Sequence, residues 1–369
     1  MVPLVPGLVA SDSKPPRQPS EPSWSHDSEP PYARSVRSTP KSVRVAVVGV
    51  GAMGRIHLDS YLDDDRTAVR GLCDISAEAL SEAARRCPEA TVTSDLAVIA
   101  TDTSIDLVSV CLPHVDHVPT ATTLLEADKR VVLEKPIAMN CRDAARLLKA
   151  SSARPGALVV KSYLRHTRSC QLLHAAVADG LIGSPRLVTS SFASLRRDEG
   201  VPRWRLRSEE SGGGALLDSG IHLIDFLHWT FGTERTVTAS LRTDESGIDL
   251  DDVVTLEFEH GPLAVITLTQ RSNVSGPCFR IEVFGDSGRA LVETTPSGEM
   301  HFRAEVGTER RPDRIEAGWW LAAHRAALGT YVDRVSRGEP FDEENPEDAA
   351  LNVATVDAAY HVAAPAGSQ

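Results

Sequence analysis

Short apolar runs alternate with helix-period stretches along the first half of the chain. Residues 43–48 are apolar apart from Arg44 and rich in valine, which is the composition of a strand buried on both faces of a parallel sheet. A helical pattern through Ile56, Leu58 and Leu62 follows. Further strands are predicted at 69–73, 107–111, 130–133 and 157–161, and helices at 76–86, 120–127 and 142–151. Strands separated by single helices imply right-handed crossovers, and therefore a doubly wound parallel sheet of α/β class.

The pattern changes after about Tyr163. One helix over 169–179 precedes strand-like segments at 186–194, 236–241, 253–259, 263–270, 279–284 and 289–294. Runs of strands with few helices predict an α+β domain on a largely antiparallel, open sheet. A final helix from 346 to 363 is expected, one that can return to the first domain. The expected organisation is an extension over 1–41, a nucleotide-binding domain over 42–163, a substrate and oligomerisation domain over 164–345, and a helix and tail over 346–369.

Composition narrows the class. The 369 residues carry a formal net charge of -12 with 41% hydrophobic residues, enough for two cores. That charge opposes a surface made to neutralise nucleic-acid phosphates or to lie on anionic lipid, so neither partner is expected. Cys73, Cys87, Cys111, Cys141, Cys170 and Cys278 are scattered without metal-ligand spacing. They read as reduced thiols of a cytoplasmic protein, with no metal. The first forty residues are rich in Pro and Ser without apolar periodicity and are expected to be disordered. Pro3 and Pro6 interrupt the start, so no secretory signal is expected, nor is any later run long enough to span a membrane.

Chemistry enters at Gly49-Val50-Gly51-Ala52-Met53-Gly54, directly after the first strand. Glycines at a strand-to-helix turn let backbone N–H groups approach a pyrophosphate at the positive end of the helix. Asp74 ends the second strand, where a carboxylate can accept from ribose hydroxyls and repel a 2′-phosphate, so NAD is expected over NADP. The competing reading of Asp74 is a turn or cap residue before the next helix. Cofactors lie beyond the carboxyl ends of such strands. Cys111-Leu112-Pro113 and Leu133-Glu134-Lys135-Pro136 thus fall beside the nicotinamide.

Gly212-Gly213-Gly214 opens a helix through Asp218, His222 and Asp225. Regular α-helical spacing puts those three on one face, beside an apolar stripe of Leu217, Ile221 and Ile224. An imidazole and a carboxylate one turn apart suit general acid–base work, while ordinary surface polarity explains the spacing equally well.

Taken together and in order, these motifs resemble the Gfo/Idh/MocA family of oxidoreductases, which includes glucose-fructose oxidoreductase and inositol dehydrogenases. The resemblance runs from Val43 to about Tyr360. Besides the glycine loop it rests on Cys111-Leu112-Pro113 with His117, Glu134-Lys135-Pro136, Tyr163-Leu164-Arg165, Gly180-Leu181-Ile182-Gly183 and Gly213-Gly214-Ala215-Leu216-Leu217-Asp218 with His222 and Asp225. It implies a Rossmann domain followed by a sheet closing over the nicotinamide, and hydride exchange between the cofactor and a secondary alcohol or ketone of a sugar or cyclitol. Lys135, Asp218 and His222 are then the catalytic set, with Asp218 fixing the substrate and raising the basicity of His222, and the Lys135–Pro136 bond is expected to be cis. Gly49, Gly51, Ala52, Met53, Gly54, Asp74, Leu112, Pro113, His117, Glu134, Lys135 and Pro136 would hold the cofactor. Tyr163, Arg165, Trp204, Arg203 and Arg205 would line the substrate side. His166-Thr167-Arg168-Ser169 departs from the family's commoner pattern after Arg165. Relatives that use NAD without net redox change, or that act as regulators, supply the alternative readings.

Arg196, Arg197, Arg203, Arg205 and Arg207 crowd the stretch before the glycine run. Two readings stand: a solvated loop paired with Asp198, Glu199, Glu209 and Glu210, or a grip on a substrate anion. An antiparallel sheet with helices on one side leaves a face to bury, so a homodimer or homotetramer is expected.

Overall fold

The computed structural model describes residues 42–196, 202–274, 278–311, 313–342 and 344–363. The stretch 1–41, the tail 364–369 and the loop residues Arg197, Asp198 and Glu199 lie outside the described residues.

Six strands form the first sheet: β1 (Val43–Val48), β2 (Thr67–Cys73), β3 (Thr91–Thr93), β4 (Leu107–Val110), β5 (Arg130–Glu134) and β6 (Leu158–Lys161). All pair in parallel in the order β3-β2-β1-β4-β5-β6, the doubly wound arrangement of a dinucleotide-binding sheet. Between them run α1 (Ala52–Leu62), α2 (Ala77–Ala84), α3 (Leu96–Thr101), α4 (His114–Glu126) and α5 (Cys141–Ser151). Strand order reverses between β1 and β4, so the loops leaving β1, β4 and β5 share one crevice.

The α4 helix starts six residues earlier than the pattern suggested, and Pro119 sits inside it. Pro119 lies past the first turn, so the helix forgoes the bond that an N–H there would donate to the Val115 carbonyl. The early start puts His114 and His117 at the crevice.

The second sheet orders β14-β13-β12-β11-β7-β10-β9-β8, with β15 on β13. Its strands are β7 (Pro185–Ala193), β8 (Glu234–Thr243), β9 (Asp249–Phe258), β10 (Leu263–Thr269), β11 (Cys278–Gly285), β12 (Gly288–Thr294), β13 (Met300–Val306), β14 (Glu309–Arg310) and β15 (Arg314–Glu316). Among the described residues only β7 and β10 pair in parallel in this sheet, so it is largely antiparallel, as the pattern implied. On β9, Val254, Leu256 and Phe258 turn into the core while Val253 faces outward, the period of two of a half-covered sheet.

The remaining helices are α6 (Arg168–Ala178), α7 (Ser208–Ser211), α8 (Ile221–Phe231), α9 (Trp319–Ser336) and α10 (Pro346–Ala363). Helix α8 is buried continuously from Ile221 to His228, as expected of a helix packed on all sides. Strands β3 and β13–β15 and helices α3, α7 and α9 lie outside the elements the pattern predicted. Helix α9 belongs to the stretch assigned to the second domain. Its Ala327, Leu328, Tyr331 and Val332 nevertheless share a core cluster with Leu58 and Tyr61 of α1 and Val45 of β1.

Candidate active site

The turn after β1 is built for close approach. Gly49 has φ +85°, and a Cβ there would stand 2.4 Å from the Cys111 carbonyl oxygen. At Gly54 a Cβ would meet the Gly49 carbonyl at 1.8 Å, whereas Gly51 faces open space. Only glycine fits the two tight positions. No side chain caps the α1 N-terminus at Gly51, which leaves the amides of Ala52, Met53 and Gly54 with the helix's positive end turned to the crevice. Asp74 is tied to this loop: its Oδ2 accepts from the Val50 N–H at 2.8 Å and its Oδ1 from the Ser76 N–H at 2.8 Å. The helix cap itself is Ser76, so Asp74 is a turn residue that also faces the glycine loop. This cradle suits a dinucleotide.

Two neighbouring loops complete the crevice. Leu112 packs at the Gly49 position, and Pro113 caps α4. His117 is fully buried, with Nε2 2.9 Å from the Leu112 carbonyl and Nδ1 2.7 Å from the Pro136 carbonyl. Burial lowers its pKa, and a neutral ring donates to one of the two oxygens at a time. His117 is thus a brace between the β4 and β5 loops. The Lys135–Pro136 peptide is cis.

Lys135 reaches across to the turn before α8. Its Nζ donates to Asp218 Oδ1 at 2.8 Å and to the Asp218 carbonyl oxygen at 2.7 Å. Arg205, from the 3-10 turn Arg203–Leu206, donates to Asp218 Oδ2 at 2.7 Å. Burial alone would raise the Asp218 pKa, but the two cations outweigh it and hold the carboxyl below the usual carboxylate range. Arg205 also lies over the Trp204 ring at 5.0 Å, and Trp204 meets the His114 ring edge-on at 4.7 Å.

Regular helical spacing would pair Asp218 with His222, and the structure does not. Residues Leu216–Gly220 form a π turn, so the angular relation assumed for a regular α-helix fails. Both Asp218 oxygens go to Lys135 and Arg205, while His222 packs edge-on to Tyr163 with ring centroids 4.6 Å apart. Burial, with Lys135 adding to it, lowers the His222 pKa to about 3. The ring is neutral at neutral pH rather than poised near it. Leu217, Ile221 and Ile224 are buried as expected.

Three further expectations need correction. The Glu134 carboxylate turns away into a buried cluster, within 2.8 Å of both His57 Nε2 and Lys161 Nζ. Arg165 is tied to Asp225, donating from Nη2 to Oδ1 at 2.7 Å and from Nε to Oδ2 at 3.0 Å, so its fork is not free for substrate. Asp225 is correspondingly buried and also accepts from Ser162 and Asn352. The arginine-rich stretch divides: Arg207 pairs with Glu210 as a solvated loop would, Arg196 is half-buried on Asp244, and among the described residues of the stretch only Arg205 reaches Asp218. Arg203 is exposed and has no ion pair among the described residues.

Sequence reasoning missed a layer behind the site. Lys161, only 1% exposed, donates to His324 Nδ1 at 2.7 Å, and the His324 ring stacks on Tyr163 at 5.0 Å. Burial and the Lys161 charge lower the His324 pKa to about 2. A lysine in the buried strand β6 was the available signal. Its partner His324 is on α9, which the pattern did not reveal.

Comparison with known proteins agrees with this layout. Residues 43–162 match the family model described as oxidoreductase family, NAD-binding Rossmann fold, and residues 170–291 match that of the GFO/IDH/MocA C-terminal domain. A myo-inositol 2-dehydrogenase of Thermotoga maritima is 28% identical over 309 residues, covering 81% of this chain and 90% of that protein. An inositol 2-dehydrogenase of Acidothermus cellulolyticus is 28% identical over 331 residues, covering 86% of this chain and 92% of that protein. Among solved structures, GenD2 from gentamicin A biosynthesis, in complex with NAD, superposes with a TM-score of 0.76 at 25% identity. That alignment covers 90% of this chain and 97% of the other.

Proposed function

The chain belongs to the Gfo/Idh/MocA oxidoreductase family, and on that premise we propose that it interconverts a secondary alcohol and a ketone on a sugar or cyclitol, using NAD. The observation that carries this reading is the meeting of Lys135, Asp218 and Arg205 next to a neutral His222 at the carboxyl end of β5. The named substrates of the inositol dehydrogenase relatives support the cyclitol class. The catalytic, cofactor and substrate assignments below are part of the proposal.

Gly49, Gly51 and Gly54 with the amides of Ala52 and Met53 would hold the pyrophosphate, Asp74 the ribose, and Leu112, Pro113, Lys135 and Pro136 the nicotinamide end. When bound, the nicotinamide supplies the hydride acceptor or donor. Lys135 places an ammonium where negative charge develops on the reacting oxygen, which stabilises an alkoxide or polarises a ketone. The same ammonium acidifies a hydroxyl beside it, narrowing the gap to a weak base. An imidazole nitrogen of His222 takes that proton, the ring being neutral and therefore able to accept. Asp218, fixed at both oxygens, orients Lys135 and Arg205. Tyr163 backs His222, and Arg205 and Trp204 form the substrate-side wall.

NAD is preferred over NADP because Asp74 presents a carboxylate where a 2′-phosphate would sit. The division into a cofactor domain over 42–163 and a substrate domain over 164–345 belongs to the same proposal, as does a cytoplasmic setting, for which all six cysteines are free thiols. No helix among the described residues is long and apolar enough to cross a membrane. The outward face of the second sheet carries exposed Leu187, Val253 and Leu263 and is proposed to pair subunits into a homodimer or homotetramer; a light-scattering mass of one chain would contradict that. The activity is tested by offering inositols, aldoses and nucleotide sugars with NAD and following NADH absorbance. Stoichiometric NADH with ketone product supports the reading, and product without NADH, or no turnover across the panel, overturns it.

A further inference from the structure

The turn that presents Asp218 is itself held by a carboxylate. Asp249 Oδ1 accepts from the Gly214 N–H at 2.6 Å and the Tyr360 hydroxyl at 2.8 Å, and Oδ2 accepts from the Leu216 N–H at 2.7 Å. The turn packs directly on β9 at Gly214, where a Cβ would lie 2.0 Å from the Asp249 carbonyl oxygen, so only glycine fits there. Two carboxylate oxygens offer about four acceptor directions. Three are filled, which leaves one on Oδ2.

Asp252 supplies what is missing. It is 2% exposed, and neither side-chain oxygen has a hydrogen-bond partner. An ionised carboxylate left so would be costly. Strand β9 is irregular here, with the register against β8 shifting between Arg242 and Thr243; the shift turns Asp249 and Asp252 to the same inner side, three residues apart where a regular strand would oppose them. We propose that Asp252 is a positioning residue: as a neutral acid it donates its proton to Asp249 Oδ2 and so locks the Gly214–Leu216 turn from which Asp218 and His222 are presented.

Among the described residues no other group donates to Asp252. The β8 and β10 residues paired with Asp252 are Leu241 and Leu268. From α10 the Tyr360 hydroxyl is committed to Asp249. On β9 itself, Asp251 accepts from the Thr269 hydroxyl and lies 3.5 Å from Arg271, so that cation is drawn outward. Burial and the adjacent Asp249 push the Asp252 carboxyl up to about 9, in keeping with a retained proton.

The inference rests on the proposed roles of Asp218 and His222 only for its effect on turnover, and its test reads the proton and the turn directly. Carbon-13 NMR of aspartate-labelled protein with NAD present should show one carboxyl still protonated at neutral pH, and Asp252→Asn should remove that signal. Hydrogen exchange at Gly214 and Leu216 should accelerate at least about tenfold in Asp252→Leu and by no more than about threefold in Asp252→Asn, whose amide restores a donor. Absence of the protonated signal, its persistence in Asp252→Asn, or unchanged exchange in Asp252→Leu would overturn the proposal. If Asp252→Leu does not fold, the wild-type signal and its loss in Asp252→Asn still decide. Failure of every polyol to reduce NAD would sink the enzymatic reading while leaving these two results standing.

Discussion

Lys135 and Asp218 meet twice, the ammonium donating to the side-chain Oδ1 at 2.8 Å and to the main-chain oxygen at 2.7 Å. The double contact fixes a flexible side chain against the turn before α8, so the ammonium is already in place when a substrate oxygen arrives. Preorganised charge of this kind contributes to the transition state without reorganisation. Lys135→Met is expected to lower kcat by about 10²-fold or more while NAD affinity stays within about threefold. Steady-state kinetics with a separate NAD titration checks it, and unchanged kcat would remove Lys135 from the mechanism.

Asp74 faces the glycine loop through Val50 and keeps a carboxylate at the end of β2. The wild type is expected to prefer NAD, and Asp74→Ala to narrow the preference by about tenfold or more as repulsion and ribose hydrogen bonds are lost together. Comparing kcat/KM for NAD and NADP in both proteins is the check. A wild type that favours NADP would refute the assignment.

His222 titrates far from an exposed imidazole, at about 3, because burial and Lys135 disfavour the cation. A group with a lowered pKa stays neutral at every pH above that value, so the base is in its accepting form throughout the physiological range. Between about pH 5 and 8 no rise in kcat/KM should trace to His222. A limb near pH 6.5 that disappears in His222→Gln would contradict the account.

Arg205 and Arg203 share one 3-10 turn, yet only Arg205 touches Asp218. Arg205→Ala is expected to lower kcat/KM for the sugar by about tenfold or more, with KM for NAD unchanged, whereas Arg203→Ala should stay within about threefold. Equal losses in the two variants would mean that the turn acts only as a whole.

Glu134, Lys161 and His57 form a charged cluster in the interior. Burial alone would raise the Glu134 pKa, and the Lys161 and His57 partners more than reverse it, leaving the carboxyl well below the ordinary value. A depressed acid contributes stability that is fully present above its unfolded pKa, about 4.3, and is lost as pH falls through the folded value. Lys161→Met should therefore destabilise the fold by about 3–5 kcal/mol at neutral pH, with the difference from wild type shrinking in acid. Denaturant melts at several pH values test this, and a constant difference would argue against the charge pair.

The centre of the first sheet was legible because β1, β4 and the middle of β5 are apolar on both faces and the glycine loop falls directly after β1, whereas β3, three residues long and largely exposed, was not. The polar contacts were less so. Glu134 and Arg165 stand in motif positions, but what each side chain meets is set by Lys161, His57 and Asp225, which are remote in sequence. The pairing expected of Asp218 and His222 failed because the π turn at Leu216–Gly220 breaks the regular angular spacing. Helix α9 was hidden for another reason: Trp319, Ala323, Ala327 and Tyr331 make one inward stripe, but His324 is buried beside it while Trp320 and Leu321 face outward, so polarity does not follow burial along the helix.

The central claim is that hydride moves between the carbinol carbon of a sugar or cyclitol and the nicotinamide. Its most direct test is to supply myo-inositol and the other panel substrates deuterated at their carbinol carbons, together with NAD, and to weigh the reduced cofactor by mass spectrometry. The account predicts NADH one deuteron heavier, formed in step with ketone and nearly abolished in Lys135→Met. Unlabelled NADH, or turnover that leaves NAD unreduced, would contradict it.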